Sequence, residues 1–175
     1  QQASYNFYYQ KDSDPLWPLF TRILQLTNSH AGFNLEPSGQ EDFTIIQYNP
    51  SDQYFPHCDG SCDGSMHLPG GRVATAVMYC KVPERGGATT FTKSDLYIKP
   101  KAGMATFFSY KGPDGRMDEG YTEHSGCPVI EGEKWITTLW MREGVSYYEP
   151  WTMFDPQGVK LLKPEDYGEH VKSEL

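Results

Sequence analysis

Four stretches of this chain alternate apolar and polar residues with a period of two, and glycine or proline clusters stand between them. The stretches are residues 43–48, 73–79, 104–109 and 134–141. Shorter pieces of the same kind lie at 88–91, 97–99 and 128–130. Pro69-Gly70-Gly71, Gly86-Gly87, Gly112-Pro113-Asp114-Gly115 and Glu131-Gly132-Glu133 punctuate them. Alternation at period two makes half-buried strands, and turn residues at this density keep them short. Many short strands in one domain pack as a sandwich or close as a jelly-roll barrel. The expected fold is mainly β, with a barrel over about 43–142. No internal repeat interrupts it.

One helix precedes the strands, over about 12–32. Asp14 is placed to cap it, and Pro15 suits the first helical position. Leu16, Phe20, Ile23 and Leu24 recur at helical spacing, with Trp17 alongside. Pro18 is tolerated only in a first turn and can push the start later. Gly32 is the stop signal. The helix is expected to brace a sheet. After Tyr148 the chain becomes acidic and irregular, and residues of about 149–175 read as a tail.

A length of 175 residues fits a single domain, large enough to bury a core without staples. No apolar run reaches the roughly 20 residues of a membrane span. The formal charge of −8 argues against nucleic acid as a partner, since phosphate neutralisation needs clustered Lys and Arg. Lys81, Arg85, Lys93, Lys99 and Lys101 fall in one region and read as scattered solvated charges. The chain opens on Gln1 without a methionine and is expected to be a processed or truncated piece. The cysteines lack the paired short spacings of a four-cysteine zinc site. Cys80 and Cys127 are expected as buried free thiols.

Chemistry enters with His57-Cys58-Asp59 and with His124. In an extended strand His57 and Asp59 share one face while Cys58 takes the other. Two imidazoles and one carboxylate make the protein half of a facial Fe(II) site, which leaves positions open for a co-substrate and O₂. His67 is a competing candidate in the loop of residues 60–71, but it has no partner at that spacing. Lys134 opens an apolar strand ten residues after His124. A lysine facing a barrel interior is costly unless an anion pairs with it.

Around these residues an ordered set of motifs runs from Tyr48 to Trp140. Tyr48 and Tyr54 precede His57-Cys58-Asp59. Arg72-Val73-Ala74-Thr75 leads to Tyr79, and Gly86-Gly87-Ala88-Thr89-Thr90-Phe91 follows. Then come Lys99-Pro100-Lys101-Ala102-Gly103, Phe107-Phe108, His124-Ser125-Gly126-Cys127-Pro128-Val129 and Gly132-Glu133-Lys134-Trp135-Ile136. In these motifs the chain resembles the catalytic domain of prolyl 4-hydroxylases, which are Fe(II)/2-oxoglutarate-dependent dioxygenases. It departs at Ser51, where that family often has glycine.

The resemblance implies a double-stranded β-helix with the iron near one mouth. It implies His57, Asp59 and His124 as metal ligands and catalytic centre. Lys134 pairs with the distal carboxylate of 2-oxoglutarate, and Tyr48 and Thr89 add hydrogen bonds to that co-substrate. Tyr54, Arg72 and Trp140 match positions near a peptide groove. Tyr79 and Tyr110 are further candidates to line it, since extended proline-rich segments dock on aromatic surfaces.

The implied cofactors and co-substrates are Fe(II), 2-oxoglutarate and O₂, with ascorbate. The implied reaction gives 4-hydroxyproline, succinate and CO₂ from a proline-containing peptide or protein. Two alternatives remain open on the sequence. One is a 2-oxoglutarate oxygenase acting on another residue or on a small molecule. The other is a non-catalytic metal-binding β-sandwich module.

The chain ends Lys172-Ser173-Glu174-Leu175, loosely like an endoplasmic-reticulum retention signal. With the resemblance, this points to the endoplasmic reticulum lumen or secretory pathway, with a cytoplasmic location as the alternative. Secretory residence would permit a disulfide, for which Cys58 and Cys62 are the candidate pair. The loops of residues 60–71 and 111–120 are the candidates to close over the site.

Overall fold

In the computed structural model, residues 2–5 and 13–161 are described. The ending of residues 172–175 and most of the predicted C-terminal tail lie outside them. Among the described residues, eleven strands and one α-helix run in the order β1 (Gln2–Tyr5), α1 (Trp17–Ala31), β2 (Phe43–Tyr48), β3 (Tyr54–His57), β4 (Arg72–Lys81), β5 (Arg85–Gly86), β6 (Thr89–Phe91), β7 (Leu96–Ile98), β8 (Ala105–Ser109), β9 (His124–Gly126), β10 (Val129–Glu131) and β11 (Lys134–Arg142), followed by a 3-10 turn at Trp151–Met153. A major sheet has the order β1-β2-β11-β4-β8, and a minor sheet the order β3-β9-β6-β7. β5 and β10 form a separate two-stranded pair. Every pairing is antiparallel.

Alternation assigns the two faces of the major sheet. Phe43, Ala74, Ala76, Leu139 and Met141 turn outward and pack on Phe20 and Leu24 of α1. This apolar layer is why the helix sits on the sheet, and it keeps α1 away from the inner face. Tyr48, Val77, Tyr79 and Ile136 turn inward and form a second cluster with Val129. Ring contact between Phe91 on β6 and Phe108 on β8 (centroids 5.0 Å apart) joins the inner faces of the two sheets. The layered antiparallel architecture is the predicted jelly roll.

Several local expectations change. The helix begins at Trp17, after Pro15, with Pro18 in its first turn. Asp14 still serves the entry, where its Oδ1 accepts from the Leu16 N–H at 2.8 Å. Gly32 ends the helix at φ +69, a conformation with no steric cost for glycine. Ser51 adopts φ +76, so this turn keeps the left-handed backbone that glycine would supply more cheaply. Cys80 is exposed, because it falls at the outer end of β4, while Cys127 is half-buried. The basic residues of 81–101 do not share a groove. Lys81 pairs with Glu133 and Arg85 with Glu131, while Lys93 lies over the Tyr121 ring.

The described part of the C-terminal stretch lies against the barrel. Residues 154–160 turn back on themselves through a bridge between Phe154 and Lys160. The Pro156 carbonyl accepts from the Arg72 N–H at 3.0 Å, and the Asp155 carbonyl from Arg142 Nη1 at 2.7 Å. This segment is therefore anchored to the barrel and forms part of the cavity wall described next.

Candidate active site

β3 and β9 pair so that His57 stands directly opposite His124. Cross-strand partners share a face, so the two rings meet, with centroids 4.4 Å apart. This pairing brings together residues that lie far apart in sequence. β3 ends at His57, however, so strand alternation does not place Asp59 as expected. Asp59 sits in the following loop, which the Cys58–Cys62 disulfide ties off. Its main-chain carbonyl accepts from Arg72 Nη1 at 3.2 Å, and its carboxylate Oδ2 accepts from the Thr75 hydroxyl at 2.7 Å.

The three side chains point into one space. His57 Nε2 is 3.5 Å from Asp59 Oδ1, and His124 Nε2 is 3.8 Å from Asp59 Oδ2. One ligand atom from each lies within 4.8 Å of the others. Each imidazole donates its Nδ1–H to a main-chain carbonyl two residues earlier. His57 uses Phe55 O at 2.8 Å, and His124 uses Thr122 O at 2.9 Å. Those bonds fix the tautomer and leave both Nε2 lone pairs facing Asp59.

Burial lowers the His124 pKa and favours its neutral, ligating form. Burial pushes the Asp59 carboxyl up, but the adjoining His57 and His124 side chains and the Thr75 hydroxyl outweigh this and hold it below the usual carboxylate range. The rings of Phe91 and Phe108 floor the site under His124, at centroid distances of 5.4 and 4.9 Å. Two imidazoles and a carboxylate so arranged suit Fe(II), with one side left for other ligands. His67 is not part of this group. Its Nε2 contacts the Gly71 carbonyl at 3.2 Å, and its ring faces Glu143.

Across the cavity, on the major sheet, Lys134 pairs in register with Tyr48. Lys134 is 3% exposed. Its ammonium lies 5.3 Å from the centre of the Tyr48 ring and 5.6 Å from that of Tyr79, and none of the ion pairs among the described residues involves it. Burial lowers its pKa to about 8. Burial likewise raises Tyr48 to about 12, so its phenol stays protonated. Gly87 has φ +68 and lies against the lysine stem, where a Cβ would come within 3.4 Å of Lys134 Cδ and 2.7 Å of Pro83. Thr89 faces the same space, with its hydroxyl 2.9 Å from Tyr79 Oη.

A cavity of about 400 Å³ joins the His57–Asp59–His124 cluster to Tyr48, Thr89 and Lys134. Tyr54 stands at the rim, 44% exposed, with its ring 4.1 Å from that of His57. Trp140 and Arg72 form another wall, the guanidinium lying 4.1 Å over the indole. Arg72 is also clamped to Glu41 at 2.6 and 2.7 Å. Tyr79 and Tyr110, read from sequence as groove candidates, are 1% and 2% exposed and belong to the interior instead.

The two candidate closing loops are stitched together. Met66 bridges to Arg116, Gly64 N–H donates to Asp118 O at 3.1 Å, and Met117 N–H to Ser65 O at 2.9 Å. Sequence reasoning missed Thr75, Glu41 and the Pro156–Gln157 wall. A signal existed only for Thr75, a hydroxyl at an inward position of an apolar strand.

The sequence profile of the 2OG-Fe(II) oxygenase superfamily matches residues 43–142, more than half of the chain. The chain belongs to the 2OG-Fe(II) oxygenase superfamily. It is 34% identical over 139 residues to prolyl 4-hydroxylase subunit alpha-1 of Gallus gallus, and 32% identical over 130 residues to that of Caenorhabditis elegans. Those matches take in 76% and 69% of this chain but 26% and 23% of the relatives, so the chain spans about a quarter of their length. Among solved structures it resembles the viral collagen prolyl hydroxylase of Paramecium Bursaria Chlorella virus-1 in its 2OG complex. The TM-score is 0.67 at 30% identity, over 82% of this chain and 79% of that one. A Pseudomonas putida prolyl 4-hydroxylase shares the fold at 21% identity and TM-score 0.55, over 82% of this chain and 71% of that one. Members of this superfamily of oxygenases use Fe(II) and 2-oxoglutarate, and the donor set at Asp59 suits that metal.

Proposed function

We propose that this oxygenase is a peptidyl-proline 4-hydroxylase that consumes 2-oxoglutarate and O₂ and releases succinate and CO₂. The observation that carries this reading is the buried Lys134 ammonium, which shares one cavity with the His57–Asp59–His124 cluster. A structural metal site has no need of a buried cation facing it. A dicarboxylate bound between the two supplies the missing counter-charge.

His57, Asp59 and His124 would hold the metal. Lys134 would take the distal carboxylate of 2-oxoglutarate, with Tyr48 and Thr89 donating hydrogen bonds. When bound, iron and 2-oxoglutarate together supply the oxidising chemistry that a protein side chain cannot. The chain's own work is orientation. The two Nδ1–H bonds hold the imidazoles, the aromatic floor excludes water beneath them, and Lys134 sets the co-substrate's direction. Tyr54, Trp140 and Arg72 would flank the peptide, with Tyr54 offering its exposed ring to an extended proline-rich segment.

The prolyl 4-hydroxylase relatives and the viral structural neighbour support proline as the target residue. The Cys58–Cys62 disulfide supports residence in an oxidising compartment, and we propose the endoplasmic reticulum lumen or secretory pathway. No helix among the described residues is long and apolar enough to cross a membrane. We also propose ascorbate as the reductant that sustains turnover. The reading is tested by measuring succinate release with Fe(II), 2-oxoglutarate, ascorbate and a panel of proline-containing peptides. Release is expected to rise with a proline peptide and to stay at background when alanine replaces the proline. Equal release with both peptides would overturn proline as the substrate.

A further inference from the structure

We propose that Thr75 and Tyr110 are positioning residues for the metal site, forming a two-hydroxyl relay that fixes which oxygen of Asp59 faces the metal. The inference rests on the reading of His57, Asp59 and His124 as metal ligands.

Three observations carry it. The Thr75 hydroxyl lies 2.7 Å from Asp59 Oδ2, and Tyr110 Oη lies 3.2 Å from Thr75 Oγ1. Thr75 is 0% exposed and Tyr110 2%, so water is not at hand to replace either bond. Finally, the Tyr110 ring underlies the ligand loop, since a Cβ on Gly60 would come within 2.7 Å of its Cε2.

The direction of the relay follows from the donor inventory. A ligating carboxylate can only accept, so the single Thr75 hydroxyl hydrogen goes to Asp59 Oδ2. Thr75 Oγ1 is then an acceptor toward Tyr110, and the phenol must donate to it. Both hydroxyls therefore point their hydrogens toward Asp59. Consecutive bonds of this kind polarise one another. Oδ2 is engaged by the relay, which leaves Oδ1, the oxygen 3.5 Å from His57 Nε2, as the freer ligand atom. A carboxylate held in this way would offer one oxygen to the metal. The location of Thr75 makes this robust. It sits on β4, an interior strand of the major sheet, so its hydroxyl is delivered by a rigid element while Asp59 rides on a loop.

The test is Co(II) binding to the full chain freed of metal, read by equilibrium titration and by the visible absorption spectrum of the bound ion. Outer-shell partners of this kind are worth about 10- to 100-fold in metal affinity. Thr75→Val is expected to weaken Co(II) binding by about that factor and to change the spectrum, whereas Thr75→Ser, which keeps the hydroxyl, is expected to retain both. Tyr110→Phe is expected to weaken binding by a smaller factor in the wild-type background and by none in the Thr75→Val background. Thermal unfolding of each metal-free variant identifies any loss due to misfolding. Thr75→Val binding as tightly as wild type would overturn the relay, as would an equal loss in Thr75→Ser. An undiminished Tyr110→Phe effect on top of Thr75→Val would also overturn it. Failure of the wild-type chain itself to bind Co(II), or binding that survives His57→Ala and His124→Ala, would instead overturn the metal site on which the relay depends.

Discussion

At the scale of single residues, Lys134 is the proposed anchor of the co-substrate. Its place at the first position of β11, opposite Tyr48, puts an ammonium near the Tyr48 and Tyr79 rings. Burial lowers its pKa from 10.5 to about 8, so without an anion it is charged below about pH 8 and neutral above. A dicarboxylate needs the charged form. The affinity for 2-oxoglutarate is therefore expected to be highest below pH 8 and to fall as pH rises through that value, approaching tenfold per unit. Fold stability runs the other way. Between about 8 and 10.5 the unfolded chain holds this proton and the folded chain does not, so Lys134 contributes stability that increases with pH over that window. Calorimetric titration of 2-oxoglutarate across pH checks the first statement. Lys134→Met is expected to weaken binding about 10- to 100-fold, by loss of a charge-assisted contact, and to flatten the pH dependence. A Lys134→Met protein with wild-type affinity would remove Lys134 from the co-substrate site.

At the scale of elements, the site depends on where β4, β11 and the Asp59 loop are pinned. Glu41 does much of this pinning. It is buried, and it accepts from both Arg72 on β4 and Arg142 on β11, the latter 1% exposed. Arg72 then reaches the Asp59 carbonyl, and Arg142 the carbonyls of Gly70 and Asp155. Glu41→Ala would leave the buried Arg142 and the partly buried Arg72 guanidinium groups without their counter-charge. It is expected to cost about 3–5 kcal/mol, read as a lowered midpoint in chemical denaturation. A loss below about 1 kcal/mol would show that water or another carboxylate takes over.

The same elements show what a sequence can and cannot reveal. β2, β4, β8 and β11 were legible because each is long enough for period two to register. His124 lies on a strand of three residues, too short for any period, and only its pairing with β3 places it beside His57. Asp59 was legible as a ligand candidate for a reason that does not hold, since the strand stops one step after Pro56 and a disulfide loop carries the carboxylate instead. Glu41 was not legible at all. Nothing local to an acidic residue before β2 announces two arginines 31 and 101 positions away.

At the scale of the whole molecule, the two faces of one sheet divide the labour. The outer face of the major sheet is spent on α1, and the inner face on the cavity. Across the cavity the proposed iron ligands stand on the minor sheet and its loop, and the buried cation stands on the major sheet. The segment 154–160, beyond the span shared with the superfamily, closes another side through Pro156 and Gln157. On this division a fold common to many oxygenases can keep its chemistry while the rim varies. On the proposed reading, the His57–Asp59–His124 centre directs oxygen from O₂ onto a peptidyl proline. The most direct measurement supplies isotopically heavy O₂ to the full chain with Fe(II), 2-oxoglutarate and a proline-containing peptide, and analyses both products by mass spectrometry. The expected result is one heavy oxygen in succinate and one in 4-hydroxyproline, with both absent for His124→Ala and both retained for His67→Ala. Unlabelled products, or labelled products that persist in His124→Ala, would contradict the account.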